Sequence, residues 1–311
     1  MSISPEQTLY MMVGFPASGK TTIAKTYNLP ILSRDVEGGS CAALLPKLEA
    51  LFKEGKSVVL DNTNLTKEAR APFISLAKKY GIQVHAVYIE NTIEDCQVNA
   101  LVRMWQTRGR LYLSAGGGNP LPISALFVAR KNFEKPTMGE GFDRIIKPLP
   151  YNACFIGSKA LFLDIDGTIR RSEHLPYKYP TKPEEVELIK PAEALRQTID
   201  AYRSQGYRII GVSNQSGIAK GTLTEADAEA CFERTRSLLG YTAEDFPIMY
   251  CPHRSAPITC YCRKPQSGLF VKAALEYGLD IATSIMVGDL KTDETAAQRL
   301  GMRFIHAKDF V

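Results

Sequence analysis

The sequence predicts an α/β protein made of two tandem, doubly wound parallel-sheet domains. Three observations carry that reading. A chain of 311 residues suits about two domains. Short apolar runs of β type alternate with helical patterns from end to end, as in parallel sheets covered by helices. The alternation breaks at PLPYNACFIG, which has two prolines and little charge and reads as a linker. The predicted domains are residues 1–148 and 159–311, joined by a linker at 149–158.

In the first domain the strand candidates are Leu9–Val13, Pro30–Leu32, Ser57–Leu60 and Gln83–Ile89. Helical patterns lie near 19–27, 40–54, 66–80 and 92–106. The glycine-rich SAGGGNP, Ser114–Pro120, then reads as a mobile loop or lid. Helix 122–133 follows, and the domain closes on FDRIIKPLP. In the second domain the strands are Ala160–Leu163, Arg208–Val212, Pro247–Tyr250, Ser284–Val287 and Arg303–Ile305. Its helices fall near 192–205, 224–239, 267–278 and 291–300.

Composition narrows the class. Hydrophobic residues are 45% and charged residues 23% of the chain, ordinary for a globular protein. No apolar run approaches the roughly 20 residues of a membrane helix, so no membrane partner is expected. MSISPEQTLYMMVGF lacks the basic start and long apolar core of an export signal, so a cytoplasmic, reducing location is expected. Three of the seven cysteines fall within twelve residues, which points to metal rather than disulfides. The others, Cys41, Cys96, Cys154 and Cys231, read as buried or partly buried. The net charge of +5 is local, because residues 101–150 hold 8 Lys+Arg against 3 Asp+Glu. Such a basic stretch suits an anionic partner or a solvated face.

Gly14-Phe15-Pro16-Ala17-Ser18-Gly19-Lys20-Thr21 fits GxxxxGK[ST], between a strand and a helix as a P-loop requires. Backbone N–H groups from Gly14 to Thr22, with Ser18 and Gly19 among them, would wrap the phosphates of ATP at a helix N-terminus. Lys20 would reach the β/γ oxygens, and the Thr21 hydroxyl would hold Mg²⁺. Asp35, in LSRD, could take a proton from an acceptor hydroxyl, or serve as a helix N-cap. SVVLDNTN places Asp61 to Asn64 at a strand end, over the ligand crevice or in a simple turn.

In the second domain LFLDIDGT ends a buried strand at Asp164, with Asp166 two residues on. Asp164 could attack phosphorus, and Asp166 could protonate the leaving oxygen and then activate water. Ser213, at the end of RIIGVSNQ, can bind phosphate, and Lys264 of CRKPQSG can neutralise it. Asp289 and Asp293 of GDLKTD add strand-end carboxylates that suit Mg²⁺. Roughly 45 residues separate Asp166 from Ser213, and a helix and strand use half of them, so no large cap fits. Cys251, His253, Cys260 and Cys262 form C-x-H-x6-C-x-C, a ligand set for structural Zn²⁺.

The motifs GFPASGKTT, SRD, DNTN and FEKPTMGEGF resemble the kinase domain of polynucleotide kinase-phosphatases. That resemblance implies that Asp35 is the general base. It also implies a lid arginine on the transferring phosphoryl group, with Arg108 preferred over Arg103 and Arg110. DIDGT, SNQSG, RKP and GDLKTD resemble the four motifs of the haloacid-dehalogenase (HAD) phosphatases. This implies Asp164 as nucleophile, Asp166 as acid/base, and Ser213 with Lys264 as phosphate clamp. Mg²⁺ would be held by the Asp164 carboxylate, the Asp166 carbonyl and Asp289, with Asp293 in support. The cysteine loop is similar to the zinc loop of heptose-bisphosphate and histidinol-phosphate phosphatases. The expected fold is thus a P-loop kinase followed by a capless HAD phosphatase. The expected activity is phosphorylation of 5′-hydroxyl and hydrolysis of 3′-phosphate ends of DNA or RNA, with a ligase as possible downstream partner. The alternative expectation is a sugar- or amino-alcohol-phosphate enzyme.

Overall fold

The computed structural model of the protein describes residues 7–114, 116 and 118–310. The chain divides into two compact units, Met1–Ala100 with Ser124–Ala153, and Leu101–Ile123 with Cys154–Val311. Residues 101–123 therefore group with the second unit, whereas the sequence pattern places them in the first. Tyr151–Ala153, expected in the linker, group with the first.

The first unit is a five-stranded sheet in the order β2-β3-β1-β4-β5, parallel at every pairing. The strands are β1 Thr8–Val13, β2 Ile31–Leu32, β3 Val58–Leu60, β4 Gln83–Tyr88 and β5 Arg144–Ile146. The three-residue β5, not expected from sequence, adds an edge to β4. The helices of this half are α1 Lys20–Lys25, α2 Arg34–Glu37, α3 Leu45–Lys53, α4 Lys67–Lys79, α5 Ile93–Arg108 and α6 Ile123–Asn132. The short α2 is also unexpected: four residues are too few to show a helical period, and the turn exists because Ser33 caps it. Leu9, Met11, Val58, Leu60, Val84 and Ala86 are fully buried in the sheet core, which explains their unbroken apolar runs.

One buried cation fastens this unit. The Arg70 side chain is fully buried and forks onto Glu140 at 2.7 and 3.0 Å. It also donates to the carbonyls of Asn64 (2.9 Å) and Glu134 (3.0 Å). Phe133 packs on Phe15 and stacks on Tyr88. FEKPTMGEGF thus supports the β3 end and the loop after β1 rather than supplying chemistry.

The second unit repeats the plan with the order β10-β9-β6-β7-β8, again all parallel. Its strands are β6 Ala160–Leu163, β7 Arg208–Asn214, β8 Ile248–Cys251, β9 Ile285–Gly288 and β10 Arg303–His306. Its helices are α7 Ala192–Ser204, α8 Ser216–Lys220, α9 Glu225–Leu239, α10 Gly268–Tyr277 and α11 Lys291–Arg299. The five-residue α8 is a further element without a sequence signal. Residues 171–191 carry only a short 3₁₀ turn at Pro183–Glu185, so no cap domain is inserted there. Of the four other cysteines, Cys96 and Cys231 are buried and Cys41 half-buried, but Cys154 is exposed, against expectation. Ala115 and Gly117 of the glycine-rich loop lie outside the described residues. Among those described, no helix is long and apolar enough to cross a membrane.

Because Arg70 is paired in a dry setting, Arg70→Met should destabilise the first unit by about 3–5 kcal/mol. Lys78→Ala, which breaks an exposed pair with Asp143, should cost under about 1 kcal/mol. Hydrogen exchange of the β1 and β4 amides in rising denaturant separates the two outcomes.

Candidate active sites

In the first unit the centre of the sheet carries the phosphate loop. β1 lies between β3 and β4, and its C-terminal end opens where the connections diverge to opposite sides. A Cβ on Gly14 would sit 2.9 Å from Ser18 Oγ and 3.2 Å from the Ile89 carbonyl, so glycine is needed there. Gly19 adopts φ +88, and an added Cβ would strike Tyr151 Cβ at 2.6 Å. Asn99 donates to the carbonyls of Ala17 (3.1 Å) and Tyr151 (2.9 Å), tying the loop to the segment that follows β5. Lys20, buried, folds its ammonium onto the Phe15 carbonyl at 2.5 Å. That is the position from which it can exchange a carbonyl for phosphate oxygens. Thr22 is exposed on the first turn of α1.

Thr21 Oγ1 donates to Asp61 Oδ2 at 2.6 Å. This pairs the P-loop hydroxyl with a strand-end carboxylate, the arrangement that holds Mg²⁺ in P-loop enzymes. In the sequence Asp61 reads only as a turn or crevice residue; its partner is 40 positions away. Asp35 is not the cap of α2, since Ser33 Oγ accepts from the Asp35 N–H at 3.3 Å. The Asp35 carboxylate is exposed on the first turn of α2.

In the second unit β6 lies between β9 and β7, and Asp164 follows its end. Lys264 Nζ reaches Asp164 Oδ1 (2.5 Å), Asp293 Oδ1 (2.8 Å) and the Val212 carbonyl (2.7 Å). Burial pushes the Asp164 carboxyl up to about 8, with Lys264 pulling against it and Asp293 adding like-charge repulsion. Burial also works against the Lys264 ammonium, yet Asp164 and Asp293 together hold it above the ordinary lysine range. One ammonium between two carboxylates leaves Asp164 incompletely compensated, and a divalent cation would favour its ionised form. Asp164, Asp289 and Asp293 offer oxygens within 4.8 Å of one another. Asp289 Oδ1 is buried with no hydrogen-bond partner, and a Cβ on Gly167 would sit 2.3 Å from Asp289 Oδ2. A hard oxygen set with an unsatisfied acceptor fits Mg²⁺.

Asp166 is held by both oxygens. Arg170 Nε donates to Oδ1 and Gln215 Nε2 to Oδ2, each at 2.7 Å, while Ser213 Oγ lies 3.5 Å from Oδ2. Neither Arg170 nor Gln215 stands out in the sequence. SNQSG contains Gln215, but the Arg170 contact arises from a turn rather than a helix and leaves no periodic signal. Asp164, Asp166, Ser213, Lys264, Asp289 and Asp293 line one cavity of about 540 Å³, joined at the rim by Lys178, Tyr179 and Arg263.

Cys251, His253, Cys260 and Cys262 place their ligand atoms within 4.8 Å of one another. The separations are 3.7 Å for Cys251–Cys260 Sγ, 3.5 Å for Cys251 Sγ–His253 Nδ1 and 3.2 Å for His253 Nδ1–Cys262 Sγ. A tetrahedron with Zn–S bonds of about 2.3 Å has edges of about 3.8 Å. The four residues therefore fit the ligand set of one tetrahedral metal ion. Arg263 continues from it and donates to the His253 carbonyl at 3.2 Å.

Comparison with known proteins agrees with a two-part chain. Residues 32–109 match an AAA domain family, and residues 261–308 match a HAD-hydrolase-like family. The chain is 36% identical over 148 residues to a probable D-glycero-D-manno-heptose-1,7-bisphosphate 7-phosphatase of Thermoplasma volcanium, covering 47% of this chain and 96% of that protein. It is 30% identical over 146 residues to the bifunctional polynucleotide phosphatase/kinase of Schizosaccharomyces pombe, covering 46% of this chain and 33% of that one. A chain in the structure of the Pnkp1/Rnl/Hen1 RNA repair complex aligns with 98% of this chain and 97% of its own length, at 17% identity and a TM-score of 0.35. The chain belongs to the HAD-like phosphatase family that includes the heptose-bisphosphate phosphatases. It carries a P-loop domain and a HAD-type phosphatase domain on one polypeptide.

Two results follow from these geometries. Asp61→Asn should lower kinase turnover at least about 100-fold with ATP at saturation, and raised Mg²⁺ should recover part of the loss. Cys260→Ser should release about one equivalent of zinc, read by elemental analysis, and weaken phosphatase turnover through the adjoining Arg263-Lys264.

Proposed function

We propose that this chain heals nucleic-acid ends, phosphorylating 5′-hydroxyls with ATP and hydrolysing 3′-phosphates. One observation supports the reading: a P-loop and the four HAD-type motifs stand on one chain. Adding and removing phosphate at one hydroxyl would be futile. Acting at opposite ends of a break, the two chemistries yield the 5′-phosphate and 3′-hydroxyl that a ligase joins. The S. pombe relative is named for the same two activities.

In the kinase step Lys20 would neutralise the β/γ oxygens of ATP, and Thr21 with Asp61 would hold Mg²⁺. Mg²⁺ supplies charge neutralisation on the transferring group. Asp35 would take the proton of the 5′-hydroxyl as its oxygen attacks the γ-phosphorus. Arg108, which the sequence favours as the lid arginine, groups with the second unit rather than with the P-loop unit and is given no part in this step. In the phosphatase step Asp164 would attack phosphorus while the bond to the 3′-oxygen breaks. Asp166 would give that oxygen its proton. The same carboxylate would then take a proton from the water that hydrolyses the aspartyl-phosphate. Ser213 and Lys264 would hold the phosphate, and the three carboxylates Mg²⁺. The Cys₃His set would hold zinc as a structural ion.

The heptose-bisphosphate phosphatases favour a second reading, a small sugar phosphate as substrate, because that relative is covered almost whole. The open, capless cavity admits either. Purified protein offered 5′-hydroxyl and 3′-phosphate oligonucleotides should act on both. Lys20→Ala should abolish only the first activity and Asp164→Asn only the second, each by several orders of magnitude. A heptose bisphosphate turned over while oligonucleotides are ignored would decide for the second reading.

A further inference from the structure

The basic stretch after α5 has a place that the sequence does not suggest. Arg108 and Arg110 both lie over the Tyr112 ring, at 5.5 and 4.8 Å from its centroid, and Arg110 Nε donates to Tyr112 Oη at 2.8 Å. Both arginines are exposed. Neither pairs with a carboxylate among the described residues; their hydrogen bonds go to Tyr112 and to the Gly118 carbonyl. Two cations held by an aromatic ring, with no anion of their own, form a surface suited to a phosphate chain with bases.

This cluster is attached to the phosphatase unit. Leu113 accepts from the Tyr261 N–H at 2.7 Å, and Ser114 bridges antiparallel to Cys260. Tyr261, fully buried, donates its hydroxyl to the Leu121 carbonyl at 2.7 Å. Asn119 closes the segment by donating to the carbonyls of Tyr112 and Ser114. The strap thus lies on the metal loop, three residues before Lys264 in the cavity. Three residues span at most about 11 Å, and Arg110 lies three further residues before Leu113, so the path from Arg110 to Lys264 is at most roughly 30 Å. A stacked strand advances about 3.4 Å per phosphate, so this is at most about eight nucleotides.

We infer that Arg108, Arg110 and Tyr112 form a binding subsite of the phosphatase unit for the strand that leads to the 3′-phosphate. The subsite rests on the nucleic-acid reading above and gives it a direction. The terminal phosphate enters the Asp164 cavity, and the preceding phosphates and bases lie along the strap. A free sugar phosphate reaches only the cavity.

The test is phosphate release from a nucleoside 3′-monophosphate, from 3′-phosphorylated oligonucleotides of two to eight residues, and from β-glycerophosphate. For the unaltered protein, KM should fall about 10-fold or more as the strand lengthens to reach the strap. Arg110→Glu should remove that gain, raising KM for the octamer about 10-fold with kcat unchanged. It should leave the mononucleotide and β-glycerophosphate as they were. Arg110→Lys should restore part of the gain. The salt slope for the octamer should flatten by about 0.7 for each phosphate that Arg110→Glu leaves without a cation. A KM independent of length, or equal effects of Arg110→Glu on all substrates, would overturn the subsite while leaving end healing intact. A rise in KM for the 5′-hydroxyl acceptor alone would overturn it too and return the stretch to the kinase. No release from any 3′-phosphorylated nucleotide, with β-glycerophosphate turned over, would instead reject the nucleic-acid reading itself.

Discussion

Charge held at the end of a buried strand has to be compensated, and the second unit is arranged around that requirement. Asp164 lies in an interior that disfavours its ionised form, Asp293 is buried beside it, and Lys264 is placed between them. An ammonium without those carboxylates would itself be too costly to bury. The residues proposed as nucleophile, phosphate clamp and cation ligands therefore support one another. Gly167 and Gly288 follow from the same crowding, since a Cβ at either would overlap Asp289 or Asp293.

The first unit meets the requirement with fewer charges. Lys20 lies against the Phe15 carbonyl and Asp61 accepts a hydrogen bond from the Thr21 hydroxyl, so each charged group has a polar partner that a ligand can replace. The deeply buried pair, Arg70 with Glu140, is set behind the Asn64 turn, where it fixes backbone rather than ligand. In this unit rigid support and exchangeable site contacts are assigned to different residues.

The Cys₃His loop connects structure to chemistry in another way. Its four candidate ligands directly precede Arg263 and Lys264, so an ion bound there would fix the loop that carries the proposed phosphate clamp. The same loop receives the Leu113–Ser114 strap, which brings exposed arginines to the phosphatase unit. A segment whose charge alone suggests affinity for anions thereby acquires an address.

The sequence by itself determined the two parallel sheets, nine of their ten strands to within a residue or two, and the positions of the phosphate-loop and aspartate motifs. Those features are local: buried runs, a glycine-rich turn and short spacings leave a readable pattern. The Asp61 partner of Thr21, the Arg170 and Gln215 grip on Asp166, and the attachment of residues 101–123 to the second unit had no such pattern. Each joins groups by a turn or by strand order, so only the folded chain decides them. Three- to five-residue elements such as β5, α2 and α8 escaped for a related reason. They are too short to show a period, and they exist because a cap or a neighbouring strand satisfies their backbone.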